Sequence, residues 1–281
     1  MQIIKASGEA EKFNHEKFCN SLEQAGANPS VAQEVCKRVK TEIGPSASTD
    51  EIFEKATALL QRKDIGIVMR YSLKRGVAAL GPAGFHFEQY VETIVNAYGY
   101  KTKRNVFMKG VCVTHEVDVV AQKGRKHFLI EAKYRNRQGI KTDITTTMYA
   151  DARLQDIIPV QEKKEKGWGA MHSMWLITNT KFTKTAIKYG KCKNMEMTGW
   201  NYPTEESLQN LITRKGLYPV TVLPSVAKQE LNLFAQAGII LARDLLSFSS
   251  DSLKKEIGIQ KQKADKILGE AYLSSVDSKK E

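Results

Sequence analysis

Apolar positions recur at helical spacing in the first part of the chain and again in the last, while the middle holds short β-branched runs. In the first part, Gln2 to Ala6 forms a short start and Asn14 caps a helix over His15 to Ala25. Pro29 or Ser30 opens a second helix reaching about Glu42, Ser48-Thr49-Asp50 caps a third, and a fourth runs from Ile67 to Ala79. The middle begins with an amphipathic helix, Phe85 to Tyr98, closed by Gly99. Strands follow over Val111 to Val120 and Lys126 to Tyr134. After them come a polar helical stretch around Asp143 to Leu154, a strand Ser173 to Thr178 and a helix Phe182 to Tyr189. The order α-β-β-β-α-β-α predicts an α+β fold, a mixed sheet flanked by helices, between a mainly helical first domain and a small helical last domain. Gly81-Pro82-Ala83-Gly84 and Trp200-Asn201-Tyr202-Pro203-Thr204 punctuate the pattern and divide the chain into 1–82, 83–203 and 204–275. The tail, 276–281, is expected to be disordered.

The two middle strands form a candidate hairpin. A two-residue loop at Gly124-Arg125, with Gly in the first loop position as a type II′ turn prefers, sets Asp118 opposite Glu131 and Glu116 opposite Lys133. The two-residue side-chain period then puts Glu116, Asp118, Glu131 and Lys133 on one face, and Val117, Val119, Phe128, Ile130 and Ala132 on the other. Two directly opposed carboxylates repel unless something positive lies between them, and a hard divalent cation with oxygen ligands suits that place. Lys133 is its natural neighbour. Glu116 either adds a ligand or pairs with Lys133.

Charge adds a substrate to this picture. The formal net charge is +12, and between Lys101 and Lys141 eleven Lys and Arg face three carboxylates, a local excess of +8 around the hairpin. Such a patch suits a phosphate backbone. The 281 residues, 42% hydrophobic, allow two or three small cores. Cys19, Cys36, Cys112 and Cys192 show no C-x-x-C pair or ligand spacing, so neither structural zinc nor a disulfide framework is expected. No secretory leader pattern and no apolar run of spanning length occurs, so a cytoplasmic protein without membrane contact is expected. Trp168, between two glycines in a basic loop, is a candidate for stacking a base, although packing is its commoner role.

On Phe87-Glu88, Gly99-Tyr100, Asp118, Glu131-Ala132-Lys133, Thr178-Asn179 and Phe182-Thr183, the middle block resembles the Mrr-like branch of the PD-(D/E)xK nucleases. That resemblance implies a restriction-endonuclease-like fold in which Asp118 and Glu131 bind Mg²⁺ or Mn²⁺, Lys133 orients or activates water and Glu88 supports the metal site. Val117 stands where the superfamily has its proline, and Glu131 where Mrr-like members often carry Gln. The first block resembles an ATP-cone on Ile3-Ile4-Lys5, Gly8, Glu11-Lys12-Phe13-Asn14, Lys17, Ser48-Thr49-Asp50-Glu51-Ile52 and Arg70-Tyr71. ATP or dATP would then meet Lys5 and Lys17 through its phosphates, and Glu11, Asn14 and Thr49 through its base or ribose. The usual K-R-x-G turn reads Lys5-Ala6-Ser7-Gly8, one bidentate phosphate contact fewer. The last block resembles tandem helix-hairpin-helix modules at Leu223-Pro224-Ser225-Val226, Ala237-Gly238-Ile239 and Ile257-Gly258-Ile259, with Lys261 and Lys263 beside the second hairpin. Such hairpins offer backbone N–H groups to DNA phosphates.

The expected function is a Mg²⁺-dependent DNA endonuclease whose activity or assembly responds to ATP or dATP. A homo-oligomer is expected, since cutting a duplex takes two active sites. The alternatives are a non-catalytic, nucleotide-sensing DNA-binding protein and a nuclease acting on RNA.

Overall fold

The computed structural model describes residues 2–5, 8–81, 86–137, 139–164 and 171–277. Trp168, Pro82-Ala83-Gly84 of the first punctuation point, Phe85 at the start of the predicted helix, Ala6-Ser7 in the K-R-x-G-like turn and residues 278–281 of the tail lie outside these. The chain folds as two compact units, 1–79 with 216–281 and 80–215, instead of three consecutive blocks.

In the first unit, β1 (Gln2–Ile4) pairs antiparallel with β2 (Ala10–Lys12), a strand the sequence pattern does not announce. Four helices follow: α1 (His15–Gln24), α2 (Pro29–Glu42), α3 (Thr49–Gln61) and α4 (Ile65–Ala79). Their starts are fixed locally. Asn14 accepts from Lys17 N–H, Asn28 from Val31 N–H and Ser48 from Glu51 N–H, each filling a donor that the first helical turn leaves open. Leu22, Cys36, Val39 and Leu60 are fully buried between these helices. The end of the chain joins this unit through α4. Thr221 Oγ1 donates to the Gly76 carbonyl at 2.7 Å, and a Cβ at Gly76 would stand 2.4 Å from Val222 Cγ1, so only glycine permits the approach. Beyond α9 (Lys228–Gln236), Gly238 and Gly258 turn the chain, and the last helix, Lys261–Asp277, runs through Val276 and Asp277, into the tail expected to be disordered.

Cys19 on α1 and Cys36 on α2 are joined as a disulfide, with Cα atoms 5.7 Å apart. The expectation of no disulfide fails because α1 packs against α2 and so brings together residues that are 17 positions apart.

The second unit comprises α5 (Phe87–Ala97), β3 (Lys101–Lys109), β4 (Thr114–Lys123), β5 (Lys126–Lys133), α6 (Ile144–Lys164), β6 (Met171–Thr178), α7 (Lys184–Cys192), β7 (Glu196–Thr198) and α8 (Leu208–Lys215). It is the expected mixed sheet flanked by helices, five strands in the order β3-β4-β5-β6-β7. The first three strands are antiparallel. β6 and β7 then join in parallel, each after a crossover helix, as parallel neighbours require. The three-residue β7 carries too little pattern to be predicted. α6 extends ten residues past its expected end at Leu154 and contains Pro159. β5 is buried on both faces. Phe128 packs with Tyr100 and Trp175 on the α5 side, and Leu129 joins Leu154 and Ile157 of α6 on the other. Burial on both faces explains why it reads as a nearly unbroken apolar run.

The β4–β5 turn agrees with its sequence. Lys123 pairs with Lys126, Gly124 has φ +61, and Arg125 is not among the residues with positive φ, which together give the type II′ pattern. β4 starts later than expected, at Thr114. Residues 110–113 form a loop instead, tied to α6 by Asp156, which accepts from Cys112 N–H at 2.8 Å and Val113 N–H at 3.3 Å. Among the described residues, no helix is long and apolar enough to cross a membrane.

Candidate active site

Asp118 lies where the strand pairing on both sides of β4 breaks. The β4–β5 ladder runs in the predicted register from the turn to Val119 opposite Ile130 and stops there. On the other side, Arg104 pairs with Val119 and Val106 with Val117, but Asn105, between them, has φ +52. A left-handed Asn is tolerated because its short side chain can bond locally, and here it interrupts β3 opposite Asp118. Asp118 Oδ2 instead accepts the Ala132 N–H at 2.8 Å. β5 continues to Lys133 along β6, so Asp118 and Glu131 sit where β4 and β5 part.

This break changes the predicted faces. Val117 packs in the same core as Val120 and Leu129, next to α6, although it is an odd position like the buried Val119. The alternation therefore switches sides at Asp118. Glu116 is exposed and does not pair with Lys133, and its carbonyl accepts from Arg153 Nη1 at 3.1 Å. Its charge still reaches Asp118.

Arg153, from the middle of α6, completes the site. Its Nη1 also donates to Glu131 Oε2, and its Nη2 donates to Tyr149 Oη at 2.9 Å. Both partners of the ion pair are largely buried, with side-chain exposures of 14% and 11%. Burial raises the pKa of Asp118. The charges of Glu88 and Glu116 push the same way, against the Ala132 N–H and Arg153. Burial also raises Glu131, helped by Asp118 and Glu88 and opposed by Arg153 and Lys133. Burial works against the charge on Arg153, but Tyr149, Glu131 and Asp118 outweigh it and leave its pKa raised.

The structure thus puts Asp118, Lys133 and Glu88, the last from the first turn of α5, within electrostatic reach of Glu131. Arg153 has no sequence signal beyond its i,i+4 relation to Tyr149. Downstream, Asn179 holds the chain leaving β5, since Arg135 N–H donates to its Oδ1 and its Nδ2 donates to the Arg135 carbonyl, both at 2.8 Å. The Nε atoms of Arg135 and Arg153 are buried donors without a partner among the described residues. The only group of three His, Cys or carboxylate ligands found within 4.8 Å of one another in the described residues lies elsewhere, in the first unit. A cavity of about 150 Å³ lined by Tyr98, Tyr100, Trp175, Met197 and Leu211 contains none of the predicted site residues.

In the first unit, Lys5 pairs with Glu11 at 2.7 Å, and that contact raises the pKa of Lys5 and lowers that of Glu11. Asn14 and Lys17 meet at the α1 cap. Thr49 begins α3, whose cap Ser48 bridges Ile4, and the Thr49 carbonyl accepts from Arg75 at 3.1 Å. In the last segment, Lys261 pairs with Asp251 at 2.9 Å and Lys263 with Glu230 at 3.9 Å.

Residues 218–273 match the family described as AF1548-like, C-terminal. A protein of Archaeoglobus fulgidus, described as an uncharacterized protein, is 36% identical over 178 residues, which is 63% of this chain and 95% of that protein. A solved structure, titled as the crystal structure of a protein of unknown function, AF1548, is 36% identical with a TM-score of 0.54. It covers 66% of this chain and 94% of its own. The chain belongs to the AF1548-like family.

Proposed function

We propose that this protein is a metal-dependent endonuclease acting on DNA, of the Mrr-like, restriction-endonuclease-like kind, and that it works in the cytoplasm under control of ATP or dATP. The observation that carries this reading is the convergence of Asp118, Glu131, Lys133 and Glu88 where β4 and β5 part. Asp118 and Glu131 are oxygen donors with raised proton affinity, held close in a buried site where Arg153 and Lys133 supply the opposing charge. That donor set fits Mg²⁺ or Mn²⁺. A bound Mg²⁺ would polarise the scissile phosphate and lower the pKa of an attacking water.

The chain's own residues do the rest. Asp118 and Glu131, as carboxylates, would hold the cation, with Glu88 adding negative charge from α5. Arg153, which holds Glu131 here, would yield it to the cation. Lys133, at the end of β5, offsets the negative charge that develops on the attacked phosphorus group. Lys and Arg around the hairpin hold the flanking phosphates, an attraction that weakens with salt. In the first unit a nucleotide phosphate exchanges with Glu11 for Lys5, while the hairpins near Gly238 and Gly258 add grip on DNA. Two copies act together on a duplex.

Plasmid DNA incubated with wild type, Asp118→Ala, Glu131→Ala and Lys133→Ala, in Mg²⁺ or EDTA and with or without ATP, tests the site. Cutting by wild type in Mg²⁺ but not in EDTA is expected, and equal cutting by all four proteins rejects the assignment. Calorimetry with ATP and dATP on wild type and Lys5→Ala tests the control, which fails if wild type binds neither. A second reading, a nucleotide-sensing module that grips DNA without cutting, draws on the Arg153 guanidinium already bonded to Glu131. It gains if DNA is bound under every condition but never cut, including by Arg153→Ala.

A further inference from the structure

The first unit holds a second cluster of metal-binding side chains, in α1 and α2. His15 and Cys19 are four residues apart on α1, and that spacing puts both on one helix face. Cys36 faces them from α2, with its Cα 5.7 Å from that of Cys19. The His15 ring nitrogens lie 3.7 and 3.9 Å from Cys19 Sγ, and one ligand atom from each of the three residues falls within 4.8 Å of the others. We propose that His15, Cys19 and Cys36 form a binding site for a zinc-class cation that the reduced protein holds between α1 and α2.

Three features carry this. Two thiolates and an imidazole, with no carboxylate, favour a borderline-soft cation over Mg²⁺ or Ca²⁺. The spacing fits as well. A tetrahedral ion with bonds of about 2.3 Å to sulfur and about 2.0 Å to nitrogen keeps those atoms roughly 3.5 Å apart, near the His15–Cys19 separation. Third, the ligands are held before any ion arrives, because Cys36 is fully buried in the core with Val35 and Val39, and α1 begins at a capped end. Three protein ligands leave the fourth position to water or another ligand.

The Cys19–Cys36 disulfide and the bound ion exclude each other. A phosphine breaks the disulfide: water gives its oxygen to phosphorus and its two protons to the sulfurs. The cation then displaces both thiol protons. The redox state of this pair therefore decides whether the cation is held, and in sequence His15 directly follows the cap Asn14 while Lys17 lies between His15 and Cys19. The site is independent of the carboxylate cluster and of the nuclease reading.

The test uses full-length protein with the exposed Cys112 and Cys192 replaced by Ser, so that only Cys19 and Cys36 can supply thiolate. The protein is reduced with a phosphine, freed of metal and titrated with Co²⁺. Thiolate-to-metal charge-transfer absorption is expected, which Zn²⁺ displaces and which the carboxylate cluster around Asp118 cannot give. Cys19→Ser should abolish that absorption, and His15→Ala should weaken binding by about tenfold or more, with circular dichroism confirming that each variant is folded. His15 is the variant least able to disturb the core. No charge-transfer band in the reduced parent protein, a band that survives Cys19→Ser, or unchanged affinity in His15→Ala overturns the proposal.

Discussion

Arg153, at the centre of α6, donates to Glu131 on β5 and so puts a guanidinium beside one buried carboxylate and the half-buried Asp118. Without it, Glu131 and Asp118 would face each other with only Lys133 to balance them. Removing one partner of a buried ion pair costs about 3 kcal/mol because the other charge is left uncompensated. Arg153→Ala is therefore expected to melt well below wild type in EDTA. Mg²⁺ should recover much of the loss, and thermal denaturation with and without Mg²⁺ measures both. If Mg²⁺ shifts wild type and variant equally, Arg153 and the metal do not share a place.

Asp118→Asn should behave in the opposite sense. The amide oxygen can still accept the Ala132 N–H, while the charge that burial and Glu88 disfavour is gone. Relief of such site strain contributes about 1 kcal/mol, or about 2–4 °C in Tm for a chain of this size. The variant is expected to be more stable than wild type in EDTA, to lose the Mg²⁺-dependent gain in Tm, and to cut DNA at least about a hundredfold more slowly. A lower Tm in EDTA would show that the Asp118 charge supports the fold.

Both site carboxylates have pKa values raised by burial. A raised carboxyl pKa in the folded state contributes stability below the unfolded pKa, and that contribution is lost as pH rises through the folded value. In EDTA the stability advantage of Asp118→Asn should accordingly grow as pH rises above the ordinary carboxylate range. Cation binding needs the deprotonated forms, so Mg²⁺ affinity should fall on acidification sooner than ordinary carboxylates predict. Calorimetric titration of Mg²⁺ across a pH series reads this out, and a flat series contradicts it.

Asp156 anchors the β3–β4 loop. His115 Nε2 lies 2.7 Å from its Oδ2, and that contact, together with the Cys112 and Val113 amides, holds its pKa well below the usual carboxylate range. Its anchoring is therefore present above the ordinary pKa and fades in strong acid. A Cβ at Gly110 would stand 2.0 Å from Asp156 Oδ2, so Gly110→Ala should displace the anchor as Asp156→Ala removes it. Faster proteolytic cleavage within 110–113 is expected in both, with secondary structure unchanged. Wild-type cleavage rates in both would mean that the loop is held by other contacts.

The union of the first and last segments depends on the backbone approach at Gly76. Gly76→Ala forces a methyl onto Val222, and overpacking of this kind costs about 1–3 kcal/mol. Chemical denaturation should show that loss; a stability equal to wild type would mean that the segment carrying Val222 yields freely.

The sequence by itself determined what local forces decide. Side-chain caps at Asn14 and Ser48 set helix starts, and glycine at 124 with the two-residue strand period set the hairpin register down to Val119 opposite Ile130. Asp118, Glu131 and Lys133 were legible because that register and the motif spacing bring them close. Tertiary structure alone decided the rest. Arg153 reaches Glu131 across 22 positions of sequence, Cys19 meets Cys36 across 17, and the segment after Gly216 closes onto α4 across more than a hundred. Such encounters depend on how helices and strands stack, which no local period encodes. The change of faces at Asp118 has the same origin. Period-two alternation assumes an unbroken ladder, and the left-handed Asn105 and the Ala132 N–H bonded to Asp118 break it at the residue the site uses.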